Sequence, residues 1–476
     1  METIGSETPN IIQGGMGIAV SSWQLARTVA LEDEIGVVSG TGIDTVMVRE
    51  LQDGDPNDRI ETMQSYPDQE FVEQIVNDYY IEGGKRETEP YARLPIHRFD
   101  PTIKSQKLLS LGAYTEVSLA KDGHDGKVGI NFLAKLKRFN LPAMYGAMLA
   151  GVDKIFMGAG IPKEEAQQVS NLAKGKPAKL RLDPDTSQYE TDEPFFYEMD
   201  PSELFDNPPE LNRPDFYPIV ASDVLAKILD HKLDDDLITG WIIEGPVAGG
   251  HNAPPRNKQT DEDGNPIYDE KDEVNLDRVR DLGYPFYLAG GYGTPERFRR
   301  ALDRGASGIQ VGSIFSLAKE SGYPADVKKN ILRSIRENEI TIKTSGNASP
   351  TGFPFKVLEM EGTLAEYDVY EERNRICDLG YLQEPFLDGD GNLRGRCPSE
   401  PVDDYVRKGG DRAETEERQC LCNALLANIG LGQTQKWGRE KPLYTAGDQF
   451  EDFPPELLEG SEYSAVDVIR YLYKDR

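Results

Sequence analysis

His251 follows Ala248-Gly249-Gly250, a short loop beyond the apolar run Trp241-Ile242-Ile243-Glu244. An imidazole has an ordinary pKa near 6.5 and can take a carbon-bound proton at neutral pH. The two glycines before it let the main chain, and so the ring, come close to a planar ligand. Of the chain's 4 histidines, His97 and His124 fall in insertions or loops and His231 on a solvated helix end. His251 is therefore the candidate base. Further glycine turns occur at Gln13-Gly14-Gly15-Met16, Gly290-Gly291 and Gly312-Ser313. Backbone N–H groups exposed at such turns suit a phosphate monoester. A third group is the thiols: Cys377, Cys397, Cys420 and Cys422 could bind Zn²⁺ tetrahedrally or hold an iron–sulfur cluster. Their spacing matches neither paired CxxC motifs nor a ferredoxin pattern. Buried free cysteine also packs as a small hydrophobe, so structural thiols are the alternative.

The elements that must position these groups alternate. Residues 285–315 read as strand, glycine turn, helix, strand, glycine turn. Thr294 caps the helix, Pro295 sits at its first position and Gly305 ends it. Strand candidates at 10–13, 35–39, 128–133, 154–157, 241–244, 286–288 and 309–311 are apolar on both faces, as in a parallel sheet. With 178–182 and 217–220 there are nine candidates for the eight places of a (β/α)8 barrel, so one of that pair is misplaced. A barrel gathers its strand C-termini around one cavity, and the loops after strands seven and eight commonly clamp phosphate. The barrel is expected over residues 8–357, with insertions at 45–127, 183–215 and 254–273. Helices are expected at 68–80 and 105–121 in the first of these. Residues 358–476 lack the alternation and form a C-terminal extension, mostly irregular and helical, that carries all four cysteines.

The formal charge of −30, from 53 basic and 83 acidic residues, leaves no positive footprint for nucleic acid or an anionic membrane. No apolar run reaches the roughly 18 residues needed to cross a bilayer. The start METIGSETPN has neither the basic head nor the apolar core of a secretory leader. A cytoplasmic protein with a small-molecule substrate is expected, and homo-oligomerisation is left open.

Four segments occur in the order in which they occur in one family: IIQGGMG, VGINFL, EGPVAGGH and LAGGYGTPERFRRALDRGASGIQVGSIF, with SPTGFP beyond them. The sequence resembles the nitronate monooxygenase (2-nitropropane dioxygenase-like) FMN-dependent barrels. The resemblance implies that Gly14, Gly15 and Met16 lie under the flavin, with Gln13 orienting it. It also implies that Asn131 hydrogen-bonds the flavin, that Ala248 and Gly249 line its ring, and that Gly290, Gly291, Gly312 and Ser313 hold its phosphate. His251 matches the family's proposed catalytic base. Glu244 is placed to meet a ribityl hydroxyl or to be an ordinary strand-end carboxylate, and Tyr145, Tyr287 and Tyr292 to border the cavity or to pack. The family's further glycine two places beyond the histidine is missing, since Asn252-Ala253-Pro254-Pro255 follows. The implied activity is FMN-dependent oxidation of an alkyl nitronate, or a related small carbon acid, with O₂. An enoyl-thioester reductase using FMN and NAD(P)H is the alternative within enzymes, and a flavin- or phosphate-binding barrel without turnover is the alternative outside them.

Overall fold

The computed structural model describes residues 9–234, 236–262 and 264–474. The segment read for a leader lies mostly outside them, as does the first residue of the expected barrel span. Eight parallel strands build the centre: β1 (Ile11–Gln13), β2 (Gly36–Ser39), β3 (Val128–Leu133), β4 (Lys154–Gly158), β5 (Asp215–Val220), β6 (Trp241–Glu244), β7 (Phe286–Ala289) and β8 (Gly308–Val311). Each pairs with its sequence neighbour from β2 to β8, and β8 returns to β1 with Ile11 opposite Ile309. The ring closes between β1 and β2, where Ile12 faces Ile35 and the Gln13 N–H donates to the Ile35 carbonyl at 2.9 Å. This is the expected (β/α)8 barrel.

The strands are buried on both sides. All four residues of β2 and of β7 are buried. Ile12, Val37, Phe156, Tyr217, Ile242 and Tyr287 fill the interior, with the Phe156 and Tyr217 rings stacked at 5.4 Å. Tyr287 therefore packs inside the barrel, and Tyr145 is fully buried elsewhere in the core.

The surplus strand is Ala178–Leu182. It pairs antiparallel with Phe195–Met199, outside the barrel, and β5 takes the contested place. Its side chains alternate buried and exposed, Lys179 and Arg181 facing water. That period of two belongs to a half-solvated hairpin, whereas a barrel strand is covered on both faces. The 183–215 insertion is thus partly ordered: it supplies the hairpin's second strand, the short helix Pro201–Leu204 and the start of β5.

Helices flank the ring: α1 (Trp23–Leu31), α2 (Ile103–Lys121), α3 (Lys137–Leu149), α4 (Pro295–Asp303), α5 (Leu421–Asn428) and α6 (Ala465–Leu472). The 45–127 insertion is helical, with α2 and Gln69–Tyr79 where the sequence puts them. It is pinned by buried Arg59, which bonds Glu116 at 2.6 Å and also Glu50. The C-terminal extension wraps the barrel and enters its core: Leu358, Tyr444, Ala446 and Phe450 pack in one cluster with Trp241, Phe286 and Phe315. Among the described residues no helix is long and apolar enough to cross a membrane.

Candidate active site

The strand C-termini open into one cavity of about 230 Å³. Its walls include Gly14, Gly15, Met16, Asn131, Ala248, Gly249, His251, Gly290, Gly291, Gly312 and Ser313, so the structure brings these sequence candidates together. The register explains why. Gln13 pairs with Val311, and the Gly14 N–H donates to the Val311 carbonyl at 2.9 Å, which sets the first turn beside the last. Gln310 pairs with Ala289, which puts Gly290 next to Gly312. Glu244 opposite Ala289 adds the loop that carries His251.

Two glycines are required by space. A Cβ on Gly15 would stand 2.0 Å from the side chain of Asn131, so the β1 turn lies against that amide. Gly290 has a φ of +86°, and a Cβ there would meet the Gly245 carbonyl at 2.9 Å. Nearby, Thr294 caps α4 as the sequence indicates, and the Arg297 guanidinium donates to the Gly291 carbonyl at 2.8 Å.

Gln13 is the exception. It is fully buried outside the cavity, donates to the Gly14 carbonyl and Ser21 hydroxyl at 2.7 and 2.8 Å, and accepts from the Val37 N–H at 3.0 Å. Its hydrogen bonds are spent on holding the β1 turn to β2, so it shapes the cavity floor and does not reach a ligand.

His251 Nε2 lies 2.7 Å from the Ser349 hydroxyl, which lies 2.8 Å from the Thr351 hydroxyl. The ring packs edge-on against Phe355 at 4.9 Å. Burial first, and the neighbouring Lys135 ammonium second, push its pKa down to about 3. His251 is therefore neutral at pH 7. Lys135, on the turn after β3, has a buried Nζ over the face of Phe353 with no hydrogen-bond partner, and burial lowers its pKa to about 7. Glu244 lines the cavity and is raised to about 7 by burial. The Asn131 Oδ1 and Gln449 Nε2 are also buried without partners, and both residues line the cavity. Unpaired polar groups of this kind cost free energy unless a ligand satisfies them.

Lys135, Ser349, Thr351 and Gln449 carry no sequence signal of their own. Ser349 and Thr351 lie in the SPTGFP segment, and Gln449 comes from the extension. The extension also donates the Gly447 N–H to the Ser313 hydroxyl at 2.9 Å, while the Thr445 hydroxyl accepts from the Gly250 N–H at 2.9 Å. Tyr292 lines the cavity, whereas Tyr145 and Tyr287 do not.

The titration of Lys135 has a readable sign. The ammonium is present below about pH 7 and lost above it. Affinity for an anionic ligand is expected to be full in mild acid and to fall as pH rises through about 7. A Lys135→Met variant should lack that limb, and a dissociation constant for a small organic anion measured across neutrality checks it.

The cysteines are free; three are buried and Cys377 is partly so. Among the described residues no three His, Cys, Asp or Glu side chains are grouped closely enough to hold a single metal ion. The tetrahedral Zn²⁺ site entertained for them is thus not formed.

A barrel with this cavity at its strand ends fits the class of flavin-dependent oxidoreductases, and the comparisons place the chain in that class. Residues 218–357, from within β5 to the strand beyond the barrel, match the nitronate monooxygenase family model. The chain is a flavin-dependent oxidoreductase, similar over this stretch to the nitronate monooxygenases. The match includes His251 and the turns after β7 and β8; the β1 turn, Asn131 and the cysteines lie outside it. FabK from Thermotoga maritima superposes with a TM-score of 0.50 at 15% identity, covering 98% of this chain and 92% of that one. Nitroalkane oxidase from Streptomyces ansochromogenes gives 0.47 at 13%, over 98% and 94%. The FabK likeness is one of fold. No curated protein matches the chain.

Proposed function

We propose that the protein oxidises an alkyl nitronate, or a closely related small carbon acid, with O₂, using FMN held at the strand ends. The observation that carries this is a neutral, buried His251 in a glycine-walled cavity, with the Lys135 ammonium bearing on it from beside the cavity and lacking a hydrogen-bond partner. The residues fit the cofactor. Gly14, Gly15 and Met16 line the cavity where a planar ring would lie, and the unsatisfied Asn131 Oδ1 awaits a donor. Ala248 and Gly249 line the ring's edge, and Gly290, Gly291, Gly312 and Ser313 offer the phosphate seat. When bound, FMN supplies the electron-accepting ring and the reaction with O₂.

The chain's own residues do the rest. Lys135, beside the cavity wall, offsets the substrate's negative charge, and the burial of its ammonium makes such a contact stronger than in solvent. A nitronate arrives already deprotonated and needs only that counter-charge. A neutral nitroalkane must first lose its α-proton to His251. The imidazolium and the carbanion then form together, so the negative charge that develops offsets the repulsion from Lys135. Ser349 and Thr351 fix the ring through Nε2 and leave Nδ1 for the substrate proton.

His251→Asn is expected to keep its FMN and to lose turnover of neutral nitroalkane by on the order of 10²-fold or more, with a much smaller loss on preformed nitronate. Equal loss on both substrates removes the base. Anaerobic bleaching of the flavin by a nitronate and not by NAD(P)H supports the oxidase over the enoyl-thioester reductase, and the reverse favours the reductase. A colourless chain that cannot be reconstituted with FMN overturns both.

A further inference from the structure

The four cysteines come from separated parts of the extension, yet they converge. Cys420 Sγ lies 3.8 Å from the carbonyl of Ile376, the residue before Cys377, and the Arg375 guanidinium donates at 3.1 Å to the carbonyl of Pro398, the residue after Cys397; the thiols are also close enough to raise one another's pKa. Donors surround the sulfurs. Gln383 donates to Cys377 Sγ at 3.5 Å, Asn423 to Cys420 Sγ at 3.6 Å, and the Ser399 hydroxyl lies 3.1 Å from Cys397 Sγ. The backbone N–H groups of Ser399, Asn423 and Leu382 are directed at Cys397, Cys420 and Cys422. Cys420 and Cys422 stand at the start of α5, and burial pushes the pKa of all four sulfurs up, so without a bound metal they are thiols.

Beside them lies Arg138, 3% exposed. It makes no ion pair with a carboxylate among the described residues. It donates to the His97 carbonyl at 3.0 Å and to that of Gly380, and sits over the rings of Phe99 and Phe139. The groups that oppose its burial are Cys377, Cys422, Cys397 and Tyr197. A buried guanidinium needs negative charge nearby, and protonated thiols supply none. Thiolates bound to metal would supply it.

A single ion does not suit the spacing. Zinc draws each sulfur to about 2.3 Å, and so the sulfurs to about 3.8 Å of one another; no such grouping exists among the described residues. In an iron–sulfur cluster bridging sulfides stand between the irons, so thiolates on different irons lie farther apart.

We propose that Cys377, Cys397, Cys420 and Cys422 are the ligands of an iron–sulfur cluster set in the wall of the flavin cavity. Cys422 is a member of both, since it lines the cavity together with Tyr381 and Leu382. The cluster site does not depend on the identity of the organic substrate or on FMN being bound.

The test is chemical analysis of the full chain purified without oxygen. Iron and acid-labile sulfide are expected in near one-to-one ratio, about two or four of each per chain, with an electron-spin resonance signal after dithionite reduction. Cys420→Ser and Cys377→Ser should each lose most of the iron and the signal. FMN released by acid and measured separately reports whether these variants keep their barrel. Zinc without labile sulfide overturns the proposal. So does wild-type chain with no iron and four titratable thiols, or with disulfides among them, and these two results need no variant to fold. FMN present with iron absent defeats the cluster alone, whereas iron present with FMN absent defeats the flavin reading alone.

Discussion

Lys135→Met is expected to lower kcat/KM for a preformed nitronate by about 10- to 100-fold while leaving FMN content unchanged. The size follows from a charge-assisted contact worth about 1.5–3 kcal/mol. Methionine has similar length and can keep the packing on Phe353, so the change removes the charge and little else. The same variant is expected to be at least as stable as wild type, because the wild-type chain carries a buried ammonium with no hydrogen-bond partner. Lys135 has a folded pKa near 7, below its ordinary 10.5, so its charged form disfavours the fold. That cost is full below about pH 7 and fades as pH rises toward 10.5. The gain in melting temperature from Lys135→Met should therefore be largest in mild acid. Lost activity with retained or raised stability is what an anion-binding residue gives, and Lys135→Arg should recover part of the activity. A variant that loses stability and keeps its nitronate kinetics would make Lys135 a packing residue.

The barrel was legible because its signals are local. Strands such as Val128–Leu133 and Trp241–Glu244 are apolar runs that end at turns, and Thr294-Pro295 announces α4 by itself. The glycine turns were legible for the same reason: a strand end and its turn are adjacent in sequence, and barrel closure then gathers them. The choice between 178–182 and 217–220, left open by the sequence reading, was also readable. The alternation of Lys179 and Arg181 with apolar neighbours marks a hairpin with one wet face. Gln13 was misjudged because its three hydrogen bonds run to Gly14, Ser21 and Val37, and only a folded β1–β2 junction creates them. The remaining parts of the site are long-range. Ser349 lies 98 positions from His251, and Gly447 lies 134 from the hydroxyl it caps. Lys135 is one of many lysines until folding places its ammonium under Phe353 and denies it a carboxylate.

Gly290→Val should produce a folded chain that has lost its flavin. The φ of +86° is costly for a β-branched residue, by about 1–3 kcal/mol. The new side chain would also strike the Gly245 carbonyl, which belongs to the loop that leads to His251. Relief requires the Gly290-Gly291 turn to move away from Gly312, so the N–H groups proposed to converge on the phosphate no longer do so. FMN affinity is expected to fall at least 100-fold, which corresponds to two or three charge-assisted hydrogen bonds. Gly151 separates this effect from simple backbone strain. It has a φ of +74°, nothing near a Cβ and a place outside the cavity, so Gly151→Ala should cost stability but retain the flavin. Flavin release and far-ultraviolet circular dichroism on the two variants decide the matter. If Gly290→Val binds FMN as tightly as Gly151→Ala, the phosphate does not sit at the end of β7. The family resemblance would then hold for the barrel without fixing which end of the cavity carries the anion.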